Sequence, residues 1–205
     1  KKLKKYLYLA SELLSENGGT PRQIRHLKYL SENNEVKILT KHKNKWVFFE
    51  TRKSFLAFLE DIRNSDQDIT NTNPTSNLSL TFPLFNKVLR FFKNDLLLEF
   101  LSPTNLRLFI LLSKIMRKED FTNIYISSPP FPALINLLFK ENHLLHIDMR
   151  DPWGTHPTLA KIKFHRRYIE NKLLGICSSI SVGSKHHKKK LYEAYGIDSE
   201  VIYNY

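Results

Sequence analysis

The chain has 205 residues, 41% hydrophobic and 25% charged, enough to bury one sizeable core as a single globular domain or a tight pair. A net charge of +12 favours polyanions as partners (nucleic acid, an anionic membrane surface, phosphorylated ligands), the bland alternative being only a well-solvated surface. A single cysteine, Cys177, excludes an internal disulfide and fits a reducing compartment, and no apolar run approaches the ~20 residues of a membrane-spanning helix.

The start, Lys1 to Lys5, is basic, but Tyr6 to Ala10 is too short for the apolar stretch of a signal peptide. Leu3 to Ala10 reads as a first strand, and a loop ends in Gly18-Gly19. Thr20 and Pro21 suit the start of a helix, with Ile24, Leu27 and Leu30 at helical spacing through about Asn33. Glu35 to Thr40 is a second strand, and Trp46 to Thr51 is rich in strand formers. Ser54 reads as the cap of a helix carrying Phe55, Phe58, Leu59 and Ile62 on one face. Residues 65–77 are dominated by Asp, Asn, Thr, Ser and Pro, and read as an exposed polar loop.

Phe82 to Phe100 is rich in Phe and Leu, with Lys87, Arg90 and Lys93 interleaved, and Asn105 to Arg117 is an apolar-basic helix. From Phe85 to Lys118 there are seven Lys/Arg against two Asp/Glu. A basic amphipathic helix of this kind either lies in a membrane interface or is a core helix with a charged outer face. Thr122 to Ser127 is a strand, Ala133 to Lys140 a helix, and Leu144 to Asp148 another strand. Leu159 to Leu174 is a long charged helix, and Ser178 to Val182 a short strand. Ser184 caps a basic helix that Gly196 stops, and Glu200 to Tyr203 is a final strand. Strands alternating with helices predict an α/β fold: a Rossmann-like, mostly parallel sheet with helices on both faces.

In such a sheet the carboxyl ends of the strands face the ligand crevice. Three segments follow predicted strands. Gly18-Gly19 either brings phosphate close to a helix N-terminus or is a plain left-handed turn; its spacing is not the dinucleotide fingerprint G-x-G-x-x-G. Ser127-Ser128-Pro129-Pro130 either lines a crevice or only connects strand to helix. Asp148-Met149-Arg150-Asp151-Pro152-Trp153 brings carboxylates, a guanidinium and an indole into six positions; the bland alternatives are a structural ion pair, a turn residue at Asp151 before Pro152 and a core Trp153, but the concentration at a strand end makes it the leading candidate site. His143 and His146 form H-x-x-H, but residues i and i+3 of a strand point to opposite faces, which opposes a shared metal. Ser184 to Lys190 (SKHHKKK) is either a solvated face or a surface for an anionic partner.

Together these segments resemble the N-terminal domain of a family 4 glycosyltransferase of the two-domain GT-B fold. Gly18-Gly19-Thr20 with Arg22 is similar to that family's glycine-containing first loop. IYISSPP (Ile124 to Pro130) and DMRDPW (Asp148 to Trp153) are similar to its strand ends, the latter to the D-[FI]-R-D-x-W of bacterial members acting on surface polysaccharides. ICSSISVGS (Ile176 to Ser184) resembles ADxIixVS, with Cys177-Ser178 in place of Ala-Asp. GIDSEVIYNY (Gly196 to Tyr205) resembles the hinge, with Tyr205 in place of its Gly.

The resemblance implies that residues 1–205 are a single acceptor-side domain that stops at the hinge, without the donor-binding C-terminal domain and inactive alone. The whole enzyme would move a sugar, with retention, from a nucleotide-sugar to a glycan or lipid-linked acceptor. It would need no bound metal and no tightly bound cofactor, and would work in the cytoplasm, peripherally at the inner membrane. Asp151 and Arg150 would be catalytic. Gly18, Gly19, Arg22, Ser127, Ser128, Asp148 and Trp153 would contact substrate. Many relatives carry a cleft His near Arg150-Asp151 that is absent here, which leaves the catalytic assignment open. The alternative on charge alone is a nucleic-acid-binding or stand-alone nucleotide-binding module. It lacks an RNP-type aromatic motif, a zinc finger and a clear helix-turn-helix, so nucleic acid is not an expected partner.

Overall fold

A computed structural model of the chain describes residues 4–11, 13, 20–42, 45–67, 103–127, 134, 143–149 and 164–203. The described elements run β1 (Lys5–Ala10), α1 (Thr20–Asn33), β2 (Glu35–His42), β3 (Lys45–Phe49), α2 (Arg52–Gln67), α3 (Pro103–Lys118), β4 (Asn123–Ser127), β5 (Leu144–Met149), α4 (Phe164–Gly175), β6 (Ser179–Val182), α5 (Lys185–Tyr195) and β7 (Glu200–Val201). They form a seven-stranded sheet in the order β3-β2-β1-β4-β5-β6-β7. Every neighbouring pair is parallel except β2 with β3, which is antiparallel. Chain order reverses direction at β1, so the crevice of a doubly wound sheet falls between the carboxyl ends of β1 and β4.

Period-two alternation sends each strand's side chains to two faces. Leu7 and Leu9 of β1, Ile124 and Ile126 of β4, and Leu145 and Ile147 of β5 share one core. Onto it pack Leu108, Leu112, Ile115 and Met116 of α3, Ile169 and Leu173 of α4, and Leu191 of α5. The α3 positions are spaced four, three and one apart, a stripe along one side of the helix. Tyr8 and Ala10 belong to the second core, with Leu27 of α1, Phe55 of α2, and Val36 and Ile38 of β2. Helices therefore cover both faces of the sheet. Leu108 and Leu112 are fully buried, each contributing roughly 1.5–3 kcal/mol of transfer free energy.

Local signals set the helix ends. The Ser184 side chain accepts from the His187 amide at 3.2 Å, and Gly196 closes α5 in the left-handed region at φ 68°. The start of α2 differs from expectation. Thr51, not Ser54, is its cap: the Ser54 amide donates to Thr51 Oγ1 at 3.1 Å, and the Thr51 amide donates back to Ser54 Oγ at 3.3 Å. This is a capping box in which serine takes the role usually held by Glu or Gln. Two strong capping residues three apart compete for the cap, and the reciprocal bonds satisfy both amides only with Thr51 in that position.

Other boundaries moved as well. Residues 65–67, expected in the polar loop, are the last residues of α2, and residues 68–77 lie outside the described residues. The strand expected over Trp46 to Thr51 is Lys45–Phe49, its register set by antiparallel pairing with β2. The last strand shortens to Glu200–Val201. Of the expected helix over Ala133 to Lys140 only Leu134 is described, fully buried in the first core, and the segment Phe82 to Phe100 lies outside the described residues.

Candidate functional site: a buried polar clasp at the carboxyl edge of the sheet

The parallel register aligns Thr40, Ala10, Ser127, Asp148 and Ser181 in one row across the carboxyl ends of β2, β1, β4, β5 and β6, and this row continues to Glu200, the first residue of β7. One step earlier, Ile38, Tyr8, Tyr125, His146 and Ser179 form a second row on the same face. Beneath β1 and β2 this face is apolar and carries α1 and α2. Beneath β4, β5 and β6 it is polar, with Asn123, Tyr125, Ser127, His146, Asp148, Ser179 and Ser181 alternating against Ile124, Ile126, Leu145, Ile147, Ile180 and Val182 of the opposite core.

Asp148 is the centre of the site. It is 0% exposed, and a buried carboxylate is tolerated only when paired and hydrogen-bonded. Arg22, from the first turn of α1 and 6% exposed, forms an ion pair with its Oδ1. Ser181 Oγ donates to the same oxygen at 2.7 Å, and Ser127 Oγ approaches Oδ2 at 3.4 Å. Gln23 Nε2 donates to Ser127 Oγ at 3.0 Å, and the Gln23 carbonyl accepts from Tyr8 OH at 3.0 Å. The first turn of α1 has no acidic residue, so Arg22 lies against the positive end of the helix dipole, and the Asp148 carboxylate offsets that repulsion.

The second row extends the network. Tyr125 stacks on Tyr8 with ring centroids 5.1 Å apart, and its hydroxyl shares a 2.7 Å hydrogen bond with His26 Nδ1. Burial, reinforced by the Asp148 charge, pushes both phenols well above the ordinary tyrosine value, so both stay neutral. Burial lowers His26, and the Asp148 charge only partly opposes it. His146 Nδ1 bonds Ser179 Oγ at 2.7 Å and its Nε2 bonds Asn123 Oδ1 at 3.2 Å; burial lowers its pKa also. His143 Nδ1 bonds the Phe121 carbonyl at 2.7 Å. The two histidines of the H-x-x-H thus have separate partners, and among the described residues no group of three or more His, Cys, Asp or Glu could hold a metal ion.

Of the residues that the sequence singles out, Arg22, Ser127 and Asp148 come together here. Gly18, Gly19, Ser128, Arg150, Asp151 and Trp153 lie outside the described residues. Gln23, Ser181, Tyr8, Tyr125 and His26 were not anticipated. A signal for most of them exists: three consecutive strands carry polar residues at every second position, N-x-Y-x-S, H-x-D and S-x-S. Such alternation within buried strands marks a polar face.

No protein-family model matches the chain, and no curated protein sequence aligns with it significantly.

Proposed function

We propose that this chain is the acceptor-side domain of a retaining GT-B glycosyltransferase, acting in transfer of a sugar from a nucleotide-sugar to a glycan or lipid-linked acceptor. What supports the reading is one juxtaposition: Ala10, Ser127 and Asp148 are in-register neighbours on adjacent strands. They are the last or near-last residues of the three strands that precede Gly18-Gly19, Ser128-Pro129-Pro130 and Arg150-Asp151-Pro152-Trp153. Segments more than a hundred residues apart thus start from one edge of the sheet, at the point where a doubly wound fold takes its ligand. Sugar transfer from a nucleotide donor leaves charge on a departing diphosphate, which needs cations and N–H donors in place beforehand. Arg150 and the amides around Gly18-Gly19 are the groups of this chain suited to it, and Asp151 is the carboxylate that follows Arg150 in the sequence.

Peripheral membrane contact is part of the proposal. No helix among the described residues is long and apolar enough to cross a membrane. However, α3 contains four cations and no acid, and it exposes Leu106 and Ile110 alongside Arg107, Lys114 and Arg117. Apolar residues flanked by cations suit an anionic lipid surface.

The test is transfer of labelled sugar from a panel of nucleotide-sugars to glycan and polyprenyl-linked acceptors by the complete gene product. Arg150→Ala and Asp151→Ala are expected to lose most turnover. Wild-type turnover in both would remove the site assignment. Absence of transfer from every donor, together with steeply salt-dependent binding to nucleic acid, would replace the reading with a nucleic-acid-binding module. Co-sedimentation with anionic but not neutral liposomes tests the surface of α3.

A further inference from the structure

We infer that Gln23 and Ser181, with Arg22, Ser127 and Asp148, are positioning residues: a buried clasp that fixes the first turn of α1 against the carboxyl ends of β4, β5 and β6. The inference rests on the proposed function only for what the clasp serves, namely aligning the glycine-containing segment that leads into α1.

A residue that binds substrate must present an atom that substrate can reach. Asp148 has none, being fully buried with Oδ1 held by Arg22 and Ser181 and Oδ2 facing Ser127. The Arg22 side chain is nearly as inaccessible, at 6%. Both charges are spent inside the protein, which assigns direct substrate contact to other residues.

The arrangement is directional. Gln23 is fully buried; its side-chain amide reaches β4 through Ser127, and its backbone carbonyl takes the Tyr8 hydroxyl from β1. Ser127 reaches on to Asp148 of β5, and Ser181 of β6 reaches the same carboxylate from the other side. One helical turn is thus tied to four adjacent strands. Further along, α1 relies on Leu27, with Ile24 and Leu30 beside it, in apolar contact with the second core. Apolar contact is non-directional and tolerates sliding and rotation. Hydrogen bonds of fixed geometry do not. The polar half of the helix therefore sets its angle and register, and the apolar half supplies adhesion.

The test is hydrogen-exchange mass spectrometry on the full chain, comparing peptides over residues 20–26 with peptides over residues 45–60. Ser181→Ala removes one charge-assisted bond and leaves the ion pair, so it is the variant that folds. Exchange over 20–26 should rise about tenfold, with 45–60 unchanged. Ser181→Thr keeps the hydroxyl and should restore protection. Asp148→Asn should raise exchange over 20–26 further than Ser181→Ala does. Unchanged exchange over 20–26 in Ser181→Ala, or an equal rise in both regions, overturns the inference. So does an Asp148→Asn protein that keeps wild-type exchange over 20–26 yet no longer binds a nucleotide-sugar that the wild type binds, because Asp148 would then be a ligand. Selective loosening of 20–26 in a protein that neither binds nor transfers any sugar supports the clasp while removing the glycosyltransferase reading.

Discussion

Asp148→Asn removes one charge from a pair that has almost no access to water. Arg22 is then left as a cation at 6% exposure beside a neutral amide, in the first turn of a helix whose dipole also disfavours it. Breaking a buried pair from one side costs about 3–5 kcal/mol, because the surviving charge is neither solvated nor matched. Arg22→Met leaves the Asp148 carboxylate with the hydroxyls of Ser181 and Ser127, which places it near the lower end, about 3 kcal/mol. The double variant Arg22→Met/Asp148→Asn has no buried charge, and the new amide oxygen still accepts from Ser181, so its cost should be only about 1–2 kcal/mol. The singles therefore sum to far more than the double, with a coupling of about 4–7 kcal/mol. Against a typical domain stability of roughly 5–15 kcal/mol, either single is a large fraction of the total. Equilibrium urea unfolding followed by circular dichroism measures all four corners, provided the denaturant slope stays constant. Single variants costing less than about 1 kcal/mol, as exposed pairs do, would refute the reasoning. A double variant that costs the sum of the two would refute it equally.

Three further outcomes follow from other positions. Thr40 is fully buried and its hydroxyl has no hydrogen-bond partner among the described residues, so Thr40→Val should be neutral or stabilising by up to about 1 kcal/mol; a clear fall in thermal midpoint would show a partner. Gly196 holds φ 68° with open space where a Cβ would go, so Gly196→Ala should cost about 1–2 kcal/mol through backbone strain alone and Gly196→Asn less, as read by urea midpoints. His26 and His146 have pKa values below the ordinary 6.5, chiefly through burial. The unfolded chain then binds more protons near that pH, so this contribution is present above 6.5 and is lost as pH falls from 6.5 through the lower folded values. Stability measured between pH 7.5 and 5 should decline with a slope that His26→Gln/His146→Gln flattens; an unchanged slope in that variant would assign the decline to other groups.

Much of the sheet was legible in the chain because its strands alternate and its helices carry stripes. Leu108, Leu112 and Ile115 of α3 announce a buried face, and Ser184 with Gly196 announces both ends of α5. The start of α2 was less legible because Thr51 and Ser54 are both good caps, and only the reciprocal bonds between them decide. In the site, Asp148 was found because it ends an apolar strand. Ser181 was not: a lone serine in a short strand carries no chemistry until β6 lies beside β5.

By itself, then, the sequence determined the alternation of strands and helices, and the segments Gly18-Gly19, Ser127 to Pro130 and Asp148 to Trp153 as features needing an explanation. These are local properties, written in periodicity and in capping and turn residues within a few positions of each other. Only the tertiary structure decided that Arg22 meets Asp148 across 126 residues, and that Ser181 arrives from 33 residues further on. Ion-pair partners depend on strand order and register, which bring distant residues side by side. Once they are side by side, burial strengthens the pairing and removes both charges from the surface. That is why two residues that read as candidate ligands in the chain are interior to the folded protein.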